Sequence, residues 1–268
     1  MSLSVETPHR SPALAVHIVR CRPEHHACGP VEHAAADMLV LPLRGIFVKH
    51  EGPERLVADP CHALFFEAGA PYRVSHPVEG GDECLTLEPS RELLAEGASR
   101  EKCTPLDERL IATRSLLGHR LRRGLATSLE AEETALGLYL GIGRRASCSR
   151  PATRARRRHA EMVEATKVTL AAQPGQNWAL SELAQRVYSS PWHLARVFGE
   201  LAGVPLHRYH LRARLAAALR EVLDTARDFT AIGLDLGFAS HSHFTASFRR
   251  AFGVTPSALR KSKILTAQ

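Results

Sequence analysis

A chain of 268 residues, 44% hydrophobic and carrying a formal net charge of +7, has material for about two globular domains. No apolar run approaches the roughly 18 residues of a membrane span, and residues 1–11 lack the apolar core of a signal peptide, so a cytoplasmic protein with no membrane association is expected. The charge is unevenly placed: residues 1–149 hold 17 Lys and Arg against 20 Asp and Glu, a net of −3, whereas residues 150–268 hold 18 against 8, a net of +10. A basic excess confined to one half points to phosphate neutralisation.

Residues 1–12 read as a disordered lead. Residues 14–90 then show short apolar or alternating runs: Leu14–Val19, Met38–Leu41, Gly45–Val48, Ala63–Phe66 and Cys84–Leu87. Pro, Gly and Asp punctuate them closely, which predicts a small antiparallel barrel or jelly roll. From Pro89 the apolar spacing becomes helical. It predicts one helix from Leu106 through Leu121 and another from Ser128 to Leu140, with Ser128 as N-cap and Glu130, Glu132 and Glu133 in the first turn. These helices pack on the barrel or form a dimer seam; the sequence leaves both open. Arg144–Arg158 is basic and contains Pro151, and 146–158 reads as a linker. A helix follows over His159–Gln173, ended by Pro174-Gly175, and a long helix runs from Pro205 to about Leu223. The expected fold class is α+β. Residues 13–145 would form a β-barrel with two following helices. Residues 159–263 would form an all-α domain.

Within the all-α half one unit occurs twice. Leu183–Phe198 followed by Gly203-Val-Pro205 parallels Ile232–Phe248 followed by Gly253-Val-Thr-Pro256, with Leu194 and Phe244 50 positions apart. A short helix, a polar turn and a second amphipathic helix describe a helix-turn-helix. In the first copy Ser181 is expected to cap the first helix, and Ala184 lets the second cross closely. Ser190 caps the second helix and Pro191 opens it. Leu194, Val197 and Phe198 face the core, leaving Trp192, His193, Ala195 and Arg196 outside. In the second copy Gly233 takes the crossing position, Gly237 the turn and Ser240 the cap. His241, Ser242, Thr245 and Arg249 are left outside. The outer N-terminal positions of the second helix are where such units read bases. Arg249 and Arg250 suit phosphates.

Residues 159–263 resemble the DNA-binding domain of the AraC/XylS family of bacterial transcription regulators. Ala231, Ile232, Leu236-Gly-Phe238, Ser240, Phe244, Phe248-Arg249, Phe252–Pro256 and Ser257 carry the resemblance, with Trp192–Phe198 matching the first recognition helix. It implies binding to double-stranded promoter DNA through helices of about 190–201 and 240–252 in successive major grooves. It also implies base-facing Trp192, Arg196, His241, Ser242 and Thr245, with Ser190 and Arg249 on the backbone. Ala195 and Ala246 depart from it, standing where relatives often have longer polar side chains. For residues 14–145 the family implies a cupin-like sensor barrel with an effector, and helices that make a homodimer. RNA polymerase would be a partner if the protein is an activator.

Five of six cysteines lie in the N-terminal half: Cys21, Cys28, Cys61, Cys84 and Cys103. His17, His25, His26, His33, His50, His62 and His76 lie there as well. Without an export signal, structural disulfides are not expected. Thiolate and imidazole together suit zinc or another thiophilic metal. Cys21, His76 and Cys84 are the candidate ligands, and the alternative is buried thiols beside a satisfied histidine. The stretch containing them also resembles a subgroup of AraC-type sensor domains with Cys or His near these places, although Val74 stands where that subgroup often has another Cys. Cys61 and His62 read as exposed turn residues, and His25, His26 and Cys28 as loop residues. Cys148 reads as incidental to the linker.

The leading reading is an effector-responsive transcription regulator, and the alternative is a metal- or redox-sensing one. A cupin-type metalloenzyme would need a His-x-His with a downstream Glu and His, which the N-terminal half lacks. A self-alkylating repair sensor would need a four-cysteine zinc cluster. An architectural DNA-binding protein would need no cavity. The chain is therefore not expected to be an enzyme.

Overall fold

The computed structural model describes residues 2–23, 27–95, 101–144 and 154–265. His25, His26, Cys148 and most of the expected linker lie outside the described residues.

Among the described residues, ten strands make two antiparallel sheets. They are β1 (Ser2–Arg10), β2 (Leu14–Arg22), β3 (Glu32–His33), β4 (Met38–Arg44), β5 (Phe47–Glu51), β6 (Glu54–Ala58), β7 (His62–Phe66), β8 (Pro71–Ser75), β9 (Asp82–Pro89) and β10 (Cys103–Pro105). The larger sheet runs β1-β2-β9-β4-β7-β10 and the smaller β3-β8-β5-β6. Phe47, Ala58 and Tyr72 of the small sheet pack with Val40, Leu64, Phe66 and Cys84 of the large one, so the sheets face each other across one core. This is the double-sheet form of the expected barrel.

The lead expected to be disordered is strand β1. It pairs with β2 from Ser2↔Arg22 to Arg10↔Ala15, with an irregularity between Glu6 and His9 that holds Pro8. Proline has no N–H for a ladder, so it sits at the break. Leu3 and Val5 alternate with Ser2 and Ser4, and both line the space between the sheets. The same logic places Pro42 at a register shift between β4 and β9.

The helices are α1 (Arg91–Ala95), α2 (Glu108–Arg122), α3 (Ser128–Gly143), α4 (Arg154–Ala172), α5 (Leu180–Arg186), α6 (Pro191–Ala202), α7 (Leu206–Asp224), α8 (Phe229–Asp235), α9 (His241–Phe252) and α10 (Pro256–Leu265). Asp107 caps α2 by accepting from Leu110 N at 2.8 Å. The cap of α3 is Thr127, not Ser128: Thr127 Oγ1 accepts from Glu130 N at 3.3 Å. α4 begins at Arg154, so the helix takes in residues read as linker.

Helix α2 lies between the sheets and the helical half. Gly118 meets Leu43 of β4 so closely that an added Cβ would stand 2.8 Å from Leu43 Cδ1. Arg114 is 1% exposed, and its guanidinium donates to the carbonyls of Pro42 (2.5 Å) and Pro60 (2.9 Å). Burial lowers its pKa to about 10. The opposite side of α2 packs against α7 and α9. One apolar core therefore runs from Leu41 and Leu85 through Ile111 and Leu117 to Phe198, Leu219 and Phe248.

Polar ties follow the same path. The Tyr209 hydroxyl donates to Asp59, and Arg212 Nε donates to Glu108 (3.1 Å). Asp224 accepts from His119 Nδ1 (2.7 Å) and Arg122 Nη2 (3.0 Å). Glu164 accepts from Val57 N (2.7 Å). Cys61 and His62, expected to be exposed, are buried. Asp59 Oδ1 gathers Cys61 N (2.7 Å) and His62 Nδ1 (2.8 Å), closing the turn beneath Tyr209.

Candidate nucleic-acid interface

The two helix-turn-helix units form from local rules. In the first, Leu183 and Ala184 of α5 are buried. Ser181 is not the cap. The helix starts at Leu180, and the Glu182 carboxylate reaches back to accept from Ala179 N at 2.9 Å. Tyr188 makes the turn in the left-handed region (φ 51°) and is 99% exposed. Ser190 Oγ then accepts from His193 N (3.2 Å), Pro191 occupies the first turn, and Gly203 (φ 70°) ends α6. Leu194, Val197 and Phe198 are buried.

The second unit repeats this with different residues. Asp228 caps α8 by accepting from Thr230 N (2.8 Å) and Ala231 N (3.1 Å). Gly233 faces Phe244, where an added Cβ would stand 2.9 Å from Phe244 Cβ. Gly237 (φ 76°) turns the chain. Ser240 Oγ accepts from His243 N (3.1 Å), and Phe244 and Phe248 are buried.

Apart from Pro191 and Ala246, the exposed side chains of the two second helices are polar or aromatic. Trp192 is 73% exposed. The Arg196 guanidinium lies 5.5 Å over its ring and donates to Glu200 Oε1 at 2.8 Å. An exposed pair of this kind contributes little, so Arg196 can exchange Glu200 for a base or a phosphate. His193 is half-buried and turned toward α4, its ring 5.1 Å from that of His159. His241 stands 3.4 Å from the hydroxyls of both Thr230 and Thr245. Ser190, Ser240, Ser242, Arg249 and Arg250 are exposed, and Thr245 is half-buried. His243, beside these, packs on Phe238 (5.5 Å) and accepts from Ala239 N (3.3 Å). Tyr188, expected only as part of the turn before α6, is a further exposed aromatic beside these residues.

A second feature lies between the sheets, a cavity of about 320 Å³ with largely apolar walls. At one end His17 contacts Glu88 Oε2 (3.0 Å) and Thr7 Oγ1 (3.0 Å). At the other, buried Cys21, His76 and Asp82 place ligand atoms within 4.8 Å of one another. Two of the three residues expected there, Cys21 and His76, are thus together, and the third member is Asp82. Cys84 adjoins them, its thiol donating to Asp82 Oδ2 at 3.2 Å. Asp82 was legible in principle: it precedes Cys84 by two residues, on the same face of a strand. Burial pushes the Cys21 thiol up to about 11, with Asp82 adding to the shift, and also holds the Cys84 thiol well above its ordinary value.

A helix-turn-helix domain family matches residues 183–262. The chain is 34% identical over 84 residues to the HTH-type transcriptional activator AarP of Providencia stuartii, covering 31% of this chain and 62% of that one. It is 33% identical over 91 residues to the virulence regulon transcriptional activator VirF of Yersinia enterocolitica, covering 34% of each. Among solved structures it is similar to a transcriptional regulator from Chromobacterium violaceum described as having an AraC-type DNA-binding domain. There the identity is 27%, the coverage 40% of this chain and 94% of that one, and the TM-score 0.36. The chain thus spans about a third of the Yersinia relative and less than two thirds of the Providencia one. Among the described residues no helix is long and apolar enough to cross a membrane.

Proposed function

We propose that this chain is a sequence-specific DNA-binding transcription regulator of the AraC type, in which residues 183–262, matched by a helix-turn-helix domain family, bind the DNA. Its recognition helices, about 190–201 and 240–252, enter successive major grooves of promoter DNA. One observation carries this: both units bury the apolar side of a capped second helix and leave the outer side of its first turns exposed. The 19-residue α7 joins them. It spans about 28 Å at 1.5 Å per residue, comparable with the roughly 34 Å of one DNA turn. The net charge of +10 over residues 150–268 supplies the phosphate attraction.

The cavity between the sheets suits a small, largely apolar effector that makes one or two hydrogen bonds at its polar ends. Its signal would pass through α2, which touches β4 of the larger sheet and α9 of the second recognition unit, as a shift between states of different operator affinity. Because α2 is enclosed within one chain, a dimer seam would fall on the outer side of α3, where Leu129 is exposed. If the protein activates, RNA polymerase is its further partner. Genome-wide mapping of sites bound by the full-length protein, followed by footprinting of a strong site, tests the reading. The expected result is a recurrent sequence with two protected major-groove segments about one turn apart. Binding spread evenly over the genome would instead describe an architectural protein.

A further inference from the structure

We propose that Cys21, His76 and Asp82 form a zinc site whose fourth coordination position opens into the cavity between the sheets. Register assembles the site. β2 and β9 pair so that Cys21 lies directly opposite Asp82, and Cys84 follows Asp82 on the same face. His76 arrives from the end of β8 in the other sheet, so the cluster spans both sheets. The turn between them is fitted to this approach. Gly81 (φ 68°) lies so close to Cys21 that any Cβ would overlap the Cys21 carbonyl, so the turn leading into Asp82 lies directly against β2.

The donor set is a thiol, an imidazole and a carboxylate, all buried, which are three ligand types zinc takes together. Tetrahedral ligands about 2.0–2.3 Å from one ion lie about 3.3–3.8 Å apart. The cluster, whose ligand atoms lie within 4.8 Å of one another, reaches that by side-chain rotations of about 1 Å. Glu32 and Glu88 also line the cavity, and among its described lining residues there is no Lys or Arg, so the surroundings favour a cation. On binding, the Cys21 S–H bond breaks, an S–Zn bond forms and the proton leaves to solvent. The His76 nitrogen exchanges its 2.7 Å contact with Asp82 Oδ1 for the metal. Cys84 keeps its hydrogen bond to Asp82 Oδ2 and orients that carboxylate as a positioning residue. The open fourth position would hold water or a donor atom of a molecule in the cavity.

The test uses the full-length chain, stripped with a chelator and titrated with cobalt(II) as a spectroscopic substitute for zinc, then with zinc against a chromophoric competitor. The wild type is expected to take up one equivalent, with a thiolate-to-cobalt absorption band and tetrahedral visible bands. Cys21→Ser should abolish the thiolate band, and Asp82→Asn and His76→Gln should each weaken zinc by more than about 100-fold. Cys84→Ala should keep the thiolate band and weaken zinc about 10–100-fold, the range for a residue that orients a ligand. Cys28→Ser, at an exposed cysteine that is not a member of the cluster, should behave as wild type. Far-ultraviolet circular dichroism of each stripped variant separates lost ligation from lost folding. A folded wild type that binds no metal overturns the proposal. So does a thiolate band that survives Cys21→Ser but vanishes with Cys84→Ala.

Discussion

Among the neighbours that hold Arg196 on its own helix are the face of Trp192 and the carboxylate of Glu200 four residues on. Both contacts are exposed and weak, yet together they hold the guanidinium fork upright on the outer side of α6. Thr245 has a comparable arrangement with His241 on α9. If these two side chains read bases, Arg196→Ala and Thr245→Ala should each cost about 1–3 kcal/mol on the cognate operator and less on random DNA. Fluorescence anisotropy with both duplexes at one salt concentration measures the difference. Equal losses on the two would move both residues from base contacts to backbone contacts. Arg249 and Arg250 stand exposed at the other end of α9, where a salt-dependent phosphate contribution is the expected role.

At the scale of elements, each unit depends on how closely its two helices cross. Gly233 packs on Phe244, and no Cβ fits there without displacement. Gly199, on α6, has no heavy atom within 4 Å of the place a Cβ would take. Two substitutions that look alike in sequence should therefore differ in sign. Gly233→Ala should destabilise by about 1–3 kcal/mol through overpacking. Gly199→Ala should be neutral or stabilise by about 0.5–1 kcal/mol, because a helix-interior glycine loses more entropy on folding than alanine. Denaturant midpoints of the two variants decide it, and equal destabilisation would refute the crossing argument. The capping serines work by the same local chemistry: Ser190 and Ser240 each satisfy an N–H that the first turn would otherwise leave open.

For the whole molecule, the determining contacts lie between the sheets and the helical half. Burial alone would raise the Asp224 carboxyl, but His119 and Arg122 outweigh it and hold its pKa below the usual carboxylate range. The same balance at Asp59, with His62 and Tyr209 as partners, lowers that carboxyl too. A depressed folded-state pKa means the stabilisation is complete above the ordinary carboxylate value of about 4 and is lost as the pH falls from there through the folded value. Wild-type stability should therefore fall steeply below about pH 4–5. In Asp224→Asn it should start lower at pH 7 and fall less steeply. Urea midpoints from pH 7 to pH 3 measure this, and parallel curves for the two proteins would exclude the linkage. Because α2 is shared by both halves, the same variant should broaden the unfolding transition at pH 7 as the halves uncouple.

Local rules that operate over three or four residues were open to sequence reading. Ser190-Pro191, Ser240, Gly237 and the apolar steps of Leu194, Phe198, Phe244 and Phe248 specified two helix-turn-helix units, since caps, turns and helical periodicity act between near neighbours. The central strands β2, β4, β5, β7 and β9 were legible as apolar runs. β1, β6 and β8 were not, because half-exposed strands rich in polar residues owe their form to their partners rather than to their own composition. Thr127 in place of Ser128, and Ala179 with Glu182 reaching back in place of Ser181, depended on where packing began the helix. The replacement of Cys84 by Asp82 in the buried cluster followed from cross-strand register, which pairs Cys21 with a residue more than sixty positions away. The joining of the two halves through α2 could not be read from a basic stretch resembling a linker. Burial of Arg114, Asp59 and Tyr209 is set by surfaces that meet only once the chain has folded.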